Sequence, residues 1–128
     1  MEFGDSLLIG VSLSNTKNGE ELAKSYINPE ADNFMGHVLV ELGFSRDEIN
    51  FGARYKHRRV ECFYEIKQNK TIKLHDKKLS FKKGDQVIVS YSHKYTQKEL
   101  EDAIKLYFGK YEFYTNEEED WTLLFCKK

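Results

Sequence analysis

Proline, cysteine and long apolar runs are all scarce in this 128-residue chain. It has one proline, Pro29, and two cysteines, Cys62 and Cys126, far apart in sequence. With no CxxC pair and no cysteine-rich framework, a disulfide scaffold is excluded and a reducing cytoplasm is the expected setting. Free cysteine in an apolar stretch behaves as a small buried hydrophobe. No run approaches the ~20 apolar residues that span a bilayer, and no charged lead with an apolar core marks a secretion signal. The eight glycines are scattered, so no GxGxG or GxGxxG turn is present; without one, no strand-turn-helix is built to cradle a nucleotide. His37, His57, His75 and His93 fall in different elements without metal-ligand spacing. Excess charge is missing too: 20 Lys and Arg balance 21 Asp and Glu. That balance lacks the basic footprint of a nucleic-acid binder. The local basic runs at 56–59, 77–78 and 82–83 read as solvated strand ends and turns.

What is present is aromatic and apolar surface, with nine Phe and eight Tyr in 40% hydrophobic residues, enough to close a core in one domain. Residues 6–13 form a near-continuous apolar run, the pattern of a strand buried on both faces. Asn18 with Glu21 has capping-box spacing, and Leu22, Ala23, Tyr26 and Ile27 then share a helical face that Pro29 closes. Asp32 is expected to cap a second helix carrying Met35, Val38, Leu39 and Leu42, with Gly43 ending it. The period then changes. Val60, Cys62, Tyr64 and Ile66 alternate with Arg59, Glu61, Phe63 and Glu65, which is strand periodicity. Short strands follow at 71–74 and 79–81. Lys83-Gly84-Asp85 is a turn, and 86–90 is a further strand. Thr96 and Glu99 form a second capping box, followed by Leu100, Ala103, Ile104 and Tyr107 on one face and by Gly109. Strands at 111–115 and 121–126, joined by an acidic linker, predict an antiparallel hairpin.

Four stretches, in order, resemble the C-terminal part of the histidine-specific methyltransferase family, which depends on S-adenosylmethionine and includes the histidine Nα-methyltransferase of ergothioneine synthesis. Phe3-Gly4-Asp5-Ser6-Leu7-Leu8-Ile9-Gly10 is similar to the family's Gly-Asp turn and fifth sheet strand. Ser25-Tyr26 with Asn33-Phe34 is similar to an Ala-Tyr-Asp-Asp segment. Arg59-Val60-Glu61 resembles Arg-Ile-Glu, and Ser92-His93-Lys94-Tyr95-Thr96 resembles Ser-x-Lys-Tyr before a helix. The closing Glu119-Asp120-Trp121-Thr122-Leu123-Leu124 is similar to the last strand. Each piece is weak alone; their order and spacing give the resemblance its weight.

The resemblance implies an α/β fold: the C-terminal portion of a class I, Rossmann-like methyltransferase sheet (1–13 and 96–128) with an α+β substrate-recognition insertion (14–95). It implies an amino-acid N-methyltransferase whose donor-binding half precedes the fifth strand, so this chain alone is expected to hold no S-adenosylmethionine and to be inactive. The substrate-side positions that carry over are Tyr26, near the substrate carboxylate, and Ser92, on its side chain; Lys94 carries over as structural. Core packing for Tyr26 and helix entry for Ser92 are equally open readings. Two substrate-side positions depart from the family. Ser90 stands where a glutamate holds the imidazole, and Cys62 stands where a methionine lines the pocket. Ile27-Asn28 likewise replaces Asp-Asp. The expected partners are an amino-acid-like small molecule and, to cover the edge of strand 6–13, a second copy of this chain or a separate N-terminal chain. Neither nucleic acid nor membrane is expected. The alternative is a stand-alone binding domain that kept the fold without catalysis.

Overall fold

The computed structural model describes Glu2, 4–14 and 18–128, so Phe3 of the first motif lies outside the described residues. In chain order the elements are β1 (Ser6–Ser12), α1 (Gly19–Lys24), α2 (Pro29–Glu41), a 3-10 turn (Arg46–Glu48), β2 (Ile49–Lys56), β3 (Arg59–Ile66), β4 (Lys70–Leu74), β5 (Lys77–Phe81), β6 (Gln86–His93), α3 (Gln97–Ile104), β7 (Lys110–Thr115) and β8 (Trp121–Lys127). This is a mixed α/β chain whose sheets are antiparallel. It divides into two compact units, one of Asn18–His93 and one of Met1–Lys17 with Lys94–Lys128. Among the described residues no helix is long and apolar enough to cross a membrane.

In the unit Asn18–His93 the sheet runs β2-β3-β6, and β4 and β5 form a separate hairpin. Asn18 caps α1, accepting from the Glu20 amide at 3.1 Å. The helix stops at Lys24, earlier than its apolar pattern predicts, so Tyr26 sits in the following turn and not on the helix. Pro29 does not close that helix. It opens the next one, at the position where a missing N–H costs nothing. Asn28, not Asp32, is its cap and accepts from the Ala31 amide at 2.8 Å. Gly43 at φ 108 then ends α2 as expected. The two-residue turn between β2 and β3 puts His57 and Arg58 at positive φ, the conformation a tight hairpin demands. One core cluster joins Leu39, Phe44, Ile49, Tyr64, Ile66 and Ile72. A second joins Ala23, Val60 and Cys62.

The Tyr64 hydroxyl donates to the Asp32 carbonyl and carboxylate at 2.8 and 2.6 Å, and the Arg46 guanidinium donates to Asp32 and the Asn33 carbonyl. These bonds fasten the first turn of α2 to the sheet. They need Gly36, where an added Cβ would stand 1.9 Å from an Arg46 nitrogen and 2.7 Å from the Tyr64 oxygen.

In the other unit the sheet runs β1-β8-β7. The predicted hairpin of the last two strands is present, and β8 lies antiparallel to both of its neighbours. The Thr96–Glu99 capping box is complete: each residue's side chain accepts from the other's amide, at 3.2 and 2.8 Å. Helix α3 ends at Ile104, so Leu100 and Ile104 carry its packing while Ala103 and Tyr107 are exposed. Its core is Ile104, Leu124 and Cys126, with Leu7, Phe108, Tyr111 and Phe113 around them. The expectation of a doubly buried first strand fails. Among the described residues β1 pairs with β8 alone, and it turns Leu8 and Ile9 outward; Leu8 is 60% exposed.

Candidate functional site

The strands bring the expected residues onto one surface. Cys62 of β3 lies opposite Ser90 of β6, and Val60 opposite Ser92. Opposed residues share a sheet face, so all four belong to the same side. On that side α1 packs, and Leu22, Tyr26, Met35 and Val89 surround the cluster of Ala23, Val60 and Cys62. Tyr26, in the turn after α1, packs against that cluster. Cys62 is fully buried, and burial pushes its thiol pKa up. A neutral thiol of that kind packs as a small hydrophobe; it does not attack. Lys94, expected to be structural, is buried in the other unit.

Register slips once on β6. Cys62 faces Ser90 while Phe63 faces Ile88, which leaves Val89 as the extra residue of a bulge. Simple alternation would send Val89 and Ser90 to opposite faces. The bulge lets both line one cleft of about 310 Å³, completed by Phe34, Met35, His37 and Val38 of α2. Sequence reading named Ser90 as a substrate-side position, did not single out Phe34 as a lining residue and put Val38 on one helical face with Leu39. The usable signal was their spacing: four apart on a helix, they form a second apolar stripe beside the one that holds Leu39.

The opposite sheet face is a charged brace. Glu61 is only 2% exposed. It accepts from Arg54 Nε and Arg59 Nε, each at 2.8 Å. The Arg54 guanidinium also lies 4.9 Å over the Phe63 ring, and that of Arg59 lies 5.0 Å over the Tyr91 ring. Hydrogen bonds from Arg54, then Arg59, hold the Glu61 carboxyl below its usual range. Both of its oxygens are committed to arginines, so Glu61 is a structural anion and not a general base.

A profile of the family described as histidine-specific methyltransferase, S-adenosylmethionine-dependent, matches residues 1–128. The chain belongs to this methyltransferase family. No curated protein matches the sequence significantly. The family's methyl donor needs backbone that it can approach closely, which is the use of a glycine turn. Where the described glycines are closely approached, the chain's own side chains do it. A Cβ at Gly10 would meet Trp121 at 3.0 Å, one at Gly19 would meet Tyr55 at 2.1 Å, and one at Gly52 would meet Phe63 at 2.7 Å. Gly10, Gly19 and Gly52 are therefore closed to a ligand, whereas Gly4 and Gly109 are open and line a cavity of about 400 Å³ with Lys110, Lys127 and Lys128.

Proposed function

We propose that these residues form the substrate-recognition part of an S-adenosylmethionine-dependent N-methyltransferase acting on an α-amino acid, and that donor binding and activity require residues beyond those described. The observation that carries the proposal is the convergence of Tyr26, Cys62, Ser90 and Ser92 on one face, in a chain matched by the family along its length. The order β1-β8-β7, with an antiparallel last strand between the other two, supports reading this unit as the end of a class I, Rossmann-like sheet. The unit Asn18–His93 is then the substrate-recognition insertion.

Methylating an amine asks these residues for orientation more than for acid-base chemistry, because the amine must be held in line and shielded from water. Tyr26 and Ser92 supply directed hydroxyls. Val60 and Cys62, fully buried, form the apolar layer behind them. The free edge of β1 would pair with a strand of the donor-binding part, on a separate chain or in a second copy, since proteins cover such edges. Buried free thiols at Cys62 and Cys126 suit a reducing cytoplasm.

Calorimetric titration with S-adenosylhomocysteine tests the division of labour. No saturable heat is the expected result; micromolar binding would place a donor pocket within these residues and overturn it. Amide shifts on titration with α-amino acids test the substrate side. The amides around Tyr26 and Ser92 are expected to move, and no response to any α-amino acid would sink the reading.

A further inference from the structure

The cleft at the β6 bulge has a lining suited to a neutral ring. Phe34 is 82% exposed and Val38 stands one turn further along α2, also exposed. Large apolar side chains held in water on one stripe, above a concave surface, mark a site that awaits an apolar group. Met35 and Val89 continue that surface inward. A volume near 310 Å³ suits one side chain of a small ligand. The polar lining is the Ser90 hydroxyl and the His37 imidazole, and among the described residues no carboxylate lines the cleft. His37 stands with Glu41, at 3.6 Å. A protonated imidazole ring entering the cleft would meet no anion among the lining residues, only the Ser90 hydroxyl and the His37 ring.

We infer that this cleft receives the substrate's side chain and selects a neutral aromatic amino acid over histidine. The inference rests on the substrate-side reading above and narrows it. Phe34 offers an aromatic face for offset stacking. Val38, Met35 and Val89 form the walls, and Ser90 offers one hydroxyl to a ring N–H or O–H. The bulge is the device that makes this possible, because it brings Ser90 and Val89 to the cleft together.

The test is amide-resolved NMR titration of the full chain with L-tryptophan, L-phenylalanine and L-histidine, and with indole alone. The aromatic amino acids and indole are expected to shift Phe34, Val38, Val89 and Ser90 saturably, with L-histidine at least ~10-fold weaker, the scale on which pockets separate side chains. Phe34→Ala should weaken L-tryptophan several-fold. Ser90→Glu should turn the preference toward L-histidine by restoring a carboxylate. L-histidine binding as tightly as L-tryptophan would overturn the inference and leave the substrate-side reading intact. Aromatic binding that moves amides elsewhere but not at the cleft would overturn the location. Failure of every α-amino acid to bind would overturn both.

Discussion

In the unit Asn18–His93, two clusters of buried side chains meet along β3, where Val60, Cys62, Tyr64 and Ile66 alternate inward and are all essentially inaccessible. In the other unit the core narrows to Ile104, Leu124 and Cys126, while Leu8, Leu106, Tyr107, Tyr114 and Trp121 stay in water. Both units rest on a three-stranded antiparallel sheet with similar helix-capping chemistry. They differ in how much of their apolar surface they use internally. The first closes two clusters, though it too leaves Phe34 and Val38 in water. The second closes one small cluster and exposes Leu8, Leu106 and Tyr107 around it.

The largest expected effect tests that contrast directly. Leu39 is 1% exposed at the centre of the denser cluster. Leu39→Ala should cost about 2–5 kcal/mol, lost transfer energy plus a residual cavity. Leu124 is equally inaccessible, but it sits in a thinner core that can collapse around a void. Leu124→Ala should therefore fall at the low end of the same range, about 2 kcal/mol. Urea unfolding of both variants checks the order. Equal losses would mean that the thin core is as rigid as the dense one, and the contrast would fail.

Next in size is Tyr64→Phe. The hydroxyl that it removes donates to the first turn of α2 from within the core. The loss should be about 1.5–3 kcal/mol, typical of a hydrogen bond to an ionised group. Asp32 keeps its contact with Arg46, which points to the lower half of that span. A smaller loss from the double variant Tyr64→Phe with Asp32→Asn than from the two single changes added together would show that they act through one bond.

A third measurement uses pH. Glu48 binds Lys70, accepts from the Ser45 amide at 2.8 Å and accepts from Gln68 at 2.7 Å. The Lys70 ammonium is the main reason that its pKa falls from 4.5 to about 2. A depressed carboxyl pKa stabilises the fold above the unfolded value and loses that contribution as pH falls through the folded one. Stability should hold above about pH 5 and decline between 4.5 and 2, and Lys70→Met should flatten part of that decline. An unchanged slope in the variant would show that other carboxyls govern acid unfolding.

Local chemistry was legible in the sequence. The Thr96–Glu99 box, the Gly43 stop, the final hairpin and the alternation of β3 all follow from backbone needs that residue type reveals. Exposure was not. The run of Leu7, Leu8, Ile9 and Val11 reads as buried because composition carries no information about which neighbours a strand finds. Nor did Pro29 disclose whether it ended one helix or began the next; the Asn28 side chain decided that. Of the candidate site, the strand pair Cys62–Ser90 was reachable through family resemblance. The cleft was not, because it depends on a one-residue slip in register that no pattern of residue types encodes.

The smallest expected effect is the most informative for the contrast. Leu8 lies on β1 with more than half its surface in water, so Leu8→Ser removes little burial. Its cost in the isolated chain should stay within about 0.5 kcal/mol, as for other surface changes. The same substitution should weaken any association that covers β1, because there it places a hydroxyl against an apolar partner. Unfolding and sedimentation of the same sample separate the two effects. Unchanged stability with lost association would mean that β1 serves an interface. A large loss of stability would mean that the chain already covers Leu8 by itself. The thin unit would then be closed after all, and the reason to seek a partner strand would disappear.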